Sequence, residues 1–457
     1  MKVMKKTVFK YALALLVASS LGSCKKLTED LYTDPNNPQD VPAELILPAA
    51  SLATALIHEG EVARLTGMWS GYFDGADRQY IALDAYQATA ADSDGPWGNL
   101  YWGAFSQADI ILQKANALKN PRLAAIAKIH KALAAGTAAS IWGDVPFTEA
   151  NKLDVTRTPK FDGQAAVYNG AIALLDDAIK DIESGKGGIV NASKDLFYNG
   201  NFTKWVKAAY SLKARYHLHL KEYAKAVESA NKGILTKGDE LVMQHGEELG
   251  NLNTYYMFLD YDRYGYMMGG SYLYKLMKDR QNAKTDESER ILFYFTDETG
   301  EEPNYVDGIF AYNAPFTIIG AAETKLILAE ASLRGAGGEG AALAALNAHR
   351  EAMGFAPYDA SDFNNGGIEN KDGLSSRDAL LREILEEKYV SMYGNLEGFN
   401  DLRRTWKENT VRVKVPLKNN TATSIPQRLL YPQSEVNTNP NVPSPLPGLF
   451  EPTPVNK

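Results

Sequence analysis

The sequence predicts a mainly α-helical fold of stacked helix pairs, with long irregular loop insertions between them. Three observations predict it. Apolar residues recur at i, i+3 and i+4 over seven stretches, while strand-like alternation is weak. Periodic stretches follow one another with very short gaps, as paired antiparallel helices require. Two long segments, about 66–102 and 246–316, break the periodicity with Gly, Asp, Asn and aromatic residues.

The stripes run in order. Phe105, Ala108, Ile111, Leu112, Ala115 and Leu118 share one helical face, and so do Val167, Ala171, Leu174, Ala178 and Ile182. Phe202–Leu220 pairs with Tyr223–Leu235, and Ala321–Gly335 pairs with Glu339–Met353. Leu380, Leu381, Ile384, Leu385, Tyr389 and Met392 make the last clear stripe. The stretch KEYAKAVESANKGI has the second-helix look of a tetratricopeptide repeat, with small Ala at the close-packing positions. Helix pairs of that kind bury a continuous core only by stacking on one another. Residues 407–457 are rich in Pro and Asn and read as extended chain laid over the helices.

The start of the chain is of another kind. Lys2, Lys5, Lys6 and Lys10 precede a short apolar run, Tyr11 to Ala18, and then small residues. That order is a secretory signal over 1–23. The run is too short to span a bilayer, which needs about 20 apolar residues. LGSC, ending at Cys24, looks like a bacterial lipobox, with glycine in a tolerated position. Cys24 is the only cysteine of the chain, so it forms no internal disulfide, and acylation accounts for both its place and its solitude. Residues 24–37 then read as lipid anchor and tether, and 38–457 as one helical domain. The alternative is an incidental cysteine after ordinary signal cleavage.

Composition is that of a folded protein: 45% hydrophobic and 23% charged over 457 residues. The formal charge is −8, and loss of 1–23 with its four lysines takes it to −12. No dense Lys/Arg block occurs, which argues against nucleic acid as a partner.

Several motifs appear in order: the lipobox, DPNNPQDVPAELILPAA, YWGAFSQADIILQKA, IWGDVPFTEA at 141–150 and EKYVSMYGNLEGFNDLRRTW at 387–406. Together they resemble the SusD/RagB family of outer-membrane nutrient-binding lipoproteins of Bacteroidetes, in its SusD-like branch. The resemblance covers nearly all of the chain after the signal. It implies a helical scaffold of four tetratricopeptide-like units with a loop-rich ligand face. It further implies a lipid-anchored place on the cell surface, as a lid over a SusC-type TonB-dependent transporter. The cargo it implies is oligosaccharide or, in some branches, peptide. It implies binding without catalysis, so no enzyme is expected. One departure stands out: Lys25-Lys26 follows the cysteine where surface lipoproteins of these bacteria often carry acids.

Other motifs favour structure over chemistry. In WGDVPF, Gly143 can stop a helix and Asp144 with Pro146 can set a turn. Asp401, Arg403 and Arg404 read as a hydrogen-bonded network near a helix end. His217 and His219 point about 200° apart on a helix and cannot share a metal. DSDG at 92–95 and DYDRYG at 260–265 lack the spacing of a calcium-binding helix–loop–helix, so no cofactor is expected, with an irregular calcium site left open.

The ligand face is expected on the two insertions. Sugars offer apolar CH faces to aromatic rings and hydroxyl rims to polar side chains. The first insertion supplies Trp69, Tyr72, Arg78, Tyr80, Trp97 and Asn99, and the second supplies Tyr266, Tyr312 and Phe316. Trp97, between Gly95-Pro96 and Gly98, is the leading candidate as a loop-tip platform, with Arg78 next. The competing reading makes these rings packing residues. Two further readings stay open: a carbohydrate-active enzyme with two facing carboxylates, and a repeat scaffold that binds only protein.

Overall fold

The computed structural model describes residues 41–335 and 337–457. The signal expected over 1–23, the acylation expected at Cys24 and the tether expected over 24–37 lie outside the described residues.

Helices α1 (Ala43–Glu59) and α2 (Glu61–Trp69) open the chain, and strand β1 (Phe73–Gly75) follows. After three short helical segments, a π-helical stretch, Asn99–Phe105, runs into α3 (Ser106–Ala117). The scaffold continues with α4 (Pro121–Trp142), α5 (Gln164–Glu183), α6 (Phe202–His219) and α7 (Tyr223–Ala230). Strands β2 (Leu241–Met243) and β3 (Met267–Gly269), with helices α8 (Ser271–Asp279) and α9 (Ser288–Tyr294), fill the second insertion and its approach. Strand β4 (Phe316–Ile319) leads into α10 (Ala321–Arg334), α11 (Gly338–Ala352), α12 (Ser376–Ser391) and α13 (Leu396–Arg404). A last short helix, α14 (Gln433–Thr438), lies in the C-terminal segment.

Consecutive scaffold helices pack on one another from α3 through α7; α7 then meets α10, which packs on α11 and α12. This is the mainly helical, tetratricopeptide-like arrangement that the stripes predict. Caps set the helix starts: Asn201 accepts the Lys204 N–H at 3.2 Å, and Ser375 accepts that of Asp378 at 3.1 Å. Ala214, Leu218, Ala226, Ala230, Ile327 and Ala331 form a buried apolar seam, mostly alanine, between α6, α7 and α10. Close approach is enforced at Gly136 in α4, where an added Cβ would fall 2.2 Å from the Tyr216 ring of α6.

The structure corrects the insertions in two ways. The segment 246–316 is not wholly irregular, because α8 and α9 lie within it. The segment 66–102 begins inside α2 and ends inside the π-helical stretch. Leu118, counted in the α3 stripe, is exposed just past the helix end.

Gly143 ends α4 at φ +88°, and Asp144 accepts the first N–H of α5 at 2.8 Å. The Trp142 indole donates to the Leu430 carbonyl at 3.0 Å, so WGDVPF is a structural junction. Arg403 donates to the Gln427 and Ser140 carbonyls at 2.9 and 2.8 Å, which binds α13 to α4 and the C-terminal strap. That strap covers the helices, with Ile425 and Leu429 buried and the Leu429 N–H on the Ile141 carbonyl at 3.1 Å.

Candidate functional site

The two insertions meet edge to edge. β1 and β3 pair antiparallel, with Phe73 opposite Gly269 and Gly75 opposite Met267. One residue further, the Ala76 N–H donates to the Tyr266 carbonyl at 2.9 Å. Phe73 anchors the ribbon from below, its ring 5.2 Å from Tyr393, 5.6 Å from Tyr255 and 5.8 Å from Phe310. A buried aromatic bed thus holds both insertions in one register.

Just past the ribbon the chain turns sharply. Arg78 adopts φ +48°, ψ −133°, a region that favours glycine and costs a larger residue about 1–3 kcal/mol. The Asp77 carboxylate accepts the Arg78 N–H at 2.8 Å and supports the turn. The turn brings the exposed Arg78 guanidinium within 5.5 Å of the Tyr266 ring centre. Arg263 stands 5.8 Å from the same ring. Tyr80 packs against Tyr266 at 6.2 Å and against Phe258 at 5.0 Å.

From Tyr266 a rim of tyrosines continues through the second insertion. Tyr261 and Tyr264 are 58% and 67% exposed, at the end of the π-helical turn Met257–Asp262. Such turns often mark functional positions. The Tyr305 hydroxyl donates to the Glu302 carboxylate. Burial, Glu302, the neighbouring Tyr264 and Asp260 together push that phenol up. Asp260 bonds to Tyr256 and raises its phenol, and Tyr256 meets Tyr312 edge to face at 6.1 Å. The result is a row of open phenol rings bordered by two guanidiniums and two carboxylates. Rings of this kind cover apolar CH faces, while the charged groups exchange hydrogen bonds with hydroxyls.

Three residues singled out from the sequence join this rim: Arg78, Tyr266 and Tyr312. Tyr80 supports it from a buried position. Four others stand apart from the rim. Trp69 is buried and donates to the Leu83 carbonyl at 2.9 Å. Tyr72 stacks on Tyr389 at 4.6 Å and donates to its carbonyl at 2.6 Å. Trp97 packs between Tyr101 and Trp142, 4.5 and 5.1 Å away. Its Gly95-Pro96 opens a short helix rather than a loop tip, and that helix turns the indole inward. Phe316 is buried on β4 beneath a cavity of about 510 Å³. Asn99 is exposed at the start of the π-helical stretch and takes part in none of the rim contacts. Sequence reading missed Tyr256, Tyr261, Arg263 and Tyr305. The dense run of Tyr and Asp in NTYYMFLDYDRYGY was the available signal.

The DSDG carboxylates are engaged within the protein. Asp92 accepts from the Thr89 N–H and hydroxyl, and Asp94 from the Ser434 N–H and hydroxyl. Among the described residues no group of three or more His, Cys, Asp or Glu is placed to hold an ion.

The C-terminal strap clamps the first insertion. The Lys418 ammonium meets Asp74 on β1 and lies 3.6 Å from Asp84. The Lys418 N–H donates to the Tyr86 hydroxyl at 3.0 Å, and Asn419 donates to the Ala85 carbonyl at 3.2 Å. Lys418→Met keeps the apolar stem and removes the charge. Amide exchange over residues 73–86 is then expected to quicken about tenfold, for a local loss of about 1–2 kcal/mol. Exchange read by mass spectrometry checks it, and unchanged rates would show that the clamp carries no weight.

A SusD-like family profile, described as starch-binding and associating with outer membrane, matches residues 35–432. No curated protein matches the chain. Solved structures share its fold. A SusD/RagB family protein from Bacteroides thetaiotaomicron superposes with a TM-score of 0.68 at 20% identity, over 88% of this chain and 95% of that one. A SusD homolog from Bacteroides uniformis gives 0.67 at 19% identity, over 92% and 100%. A chitin-binding SusD homolog from Flavobacterium johnsoniae gives 0.67 at 18% identity, over 87% and 93%. The match of the profile along most of the sequence places this chain in the SusD-like family.

Proposed function

We propose that this chain is a lipid-anchored receptor of the outer membrane that captures oligosaccharide on the tyrosine rim. It then passes the sugar to a SusC-type TonB-dependent transporter, without chemical change. The observation that carries the reading is the rim itself: open phenol rings on the second insertion, which is locked in register with the first and flanked by Arg78 and Arg263. The family description as starch-binding and the chitin-binding name of one structural neighbour support a glycan cargo. The LGSC motif at Cys24 supports the anchor.

The energetics suit capture and release. Covering about 50 Å² of CH surface at ~25 cal/mol/Å² gives roughly 1 kcal/mol per stacked sugar. Two or three such contacts with a few hydrogen bonds hold a sugar without trapping it.

Calorimetry of the full chain in mild detergent, against maltoheptaose and chitohexaose, tests the reading. Tyr264→Ala and Arg78→Ala are each expected to weaken binding about fivefold, the equivalent of about 1 kcal/mol. Undiminished affinity in both variants would remove the rim from the function.

A further inference from the structure

A second aromatic surface lies outside the rim. Trp102 is 79% exposed, on the outward side of the π-helical stretch. Packing does not require an indole there, since Leu100, Tyr101, Ala104 and Phe105 fill the inward side. The ring lies along the helix beside Gly98, 3.9 Å from where a Cβ would stand, an ordinary contact distance. Gly103 seats the next residue tightly on α1, a Cβ there falling 2.9 Å from Ala53. The helix is thus fixed with the indole facing out.

Trp102 borders a cleft of about 290 Å³ floored by Trp97 and Tyr101. Leu153, itself exposed, lines the same cleft from the 149–159 loop. Polar groups stand at its edge: Glu149, Asn151, Arg157 and, from α14, Glu435. Among the described residues no ion pair or hydrogen bond engages the Arg157 side chain.

The volume is at the small end of ligand sites, about 300–1,000 Å³, and suits one or two sugar rings. A stable protein contact needs about 1,000 Å² of well-fitted surface. One indole and one leucine, edged by charges, suit a compact amphipathic ligand better.

We propose that this cleft is a second oligosaccharide subsite, independent of the rim. Trp102 stacks on a pyranose face, Arg157 and Asn151 donate to hydroxyls, and Glu149 and Glu435 accept from them. The ligand class rests on the glycan-binding reading above, while the place does not.

Tryptophan fluorescence reads this cleft alone. Of the six tryptophans, Trp69, Trp97, Trp142 and Trp205 are buried, Trp406 is half-buried, and the rim has none. Acrylamide quenching of the full chain is measured with and without saturating chitohexaose or maltoheptaose. The sugar is expected to shield Trp102 in the native protein and equally in the rim variant Tyr264→Ala. Arg157→Ala, which keeps the fluorophore, should raise the sugar concentration needed for shielding about fivefold. Calorimetric binding that leaves Trp102 fully quenchable overturns the subsite and spares the rim. Shielding that vanishes with the rim variant overturns its independence. No heat and no shielding with either sugar overturns both readings.

Discussion

Glu387→Ala is expected to destabilise the protein by about 3–5 kcal/mol, and to free the second insertion before the scaffold melts. Glu387, on α12, is fully buried. It takes Arg280 at 2.7 Å, Arg290 at 2.7 Å and the His349 imidazole at 2.8 Å. Arg280 follows α8 and Arg290 lies on α9, so both guanidiniums belong to the insertion that carries the rim. Glu287 and Glu383 complete the network, taking Arg290 and Arg280 at 2.7 and 2.8 Å. Burial alone would raise the Glu387 carboxyl. The guanidiniums of Arg290 and Arg280 outweigh it and hold the group well below the usual carboxylate range. Removing the carboxylate leaves two cations short of a partner in a dry site, where an unmatched charge costs far more than the intact pair contributes. Glu387→Gln keeps most of the volume and should lose less. Chemical denaturation gives the total, and hydrogen exchange over residues 257–294 gives the order of opening. A loss under about 1 kcal/mol would mean that water reaches the network and relieves it.

That network also shows where sequence reading stops. The stripes of α6, α7, α10 and α12 were legible because their apolar residues recur at helical spacing with polar or charged residues between them. α4 gave no stripe, since its alanine-rich sequence is buried on nearly every side from Leu123 to Trp142. α8 and α9 hid inside the insertion for the opposite reason. They are short, and Arg280, Glu287 and Arg290 look like solvated charge until their partners on α12 are in place. In the site, Arg78, Tyr266 and Tyr312 could be reached from composition and loop context. The burial of Trp97 could not, because it depends on Trp142 and on Phe161, distant in sequence. The exposed ring lay five residues on, at Trp102, where a helical period alone marks an outward position. Glu383 and Glu387 carried a usable signal, as charges on the faces of a helix whose apolar residues are buried.

Buried His130 should cost the protein about 3 kcal/mol of stability as the pH drops from about 6.5 towards 4, and His130→Phe should remove that cost. His130 sits in α4 with its ring 5.4 Å from Trp205 and 5.7 Å from Phe197. Its Nδ1 meets the Thr54 hydroxyl at 3.1 Å, and Nε2 has no hydrogen-bond partner among the described residues. Burial pulls its pKa from 6.5 down to about 4, against a small opposing pull from Asp195. The Asp195 carboxylate is already held by the Trp205 indole at 2.8 Å and the Gly200 N–H at 2.9 Å. The folded protein therefore keeps the ring neutral, while the unfolded chain takes up a proton below about 6.5. The His130 contribution is complete above that value and is lost as the pH falls through about 4. His58, pulled down to about 4 by burial, adds a second loss of the same sign that the variant retains. Glu330 and Glu397 act later: despite burial, Arg404 and Arg215 hold them well below the unfolded carboxylate range of about 4.3. Phenylalanine fits the aromatic bed, and Thr54 keeps its bond to the Ala50 carbonyl at 2.8 Å, so no polar group is stranded. Urea unfolding at pH 7 should barely separate the two proteins. At pH 4.5 the variant should be the more stable by about 2–3 kcal/mol, and curves that still coincide there would mean His130 is protonated inside the fold.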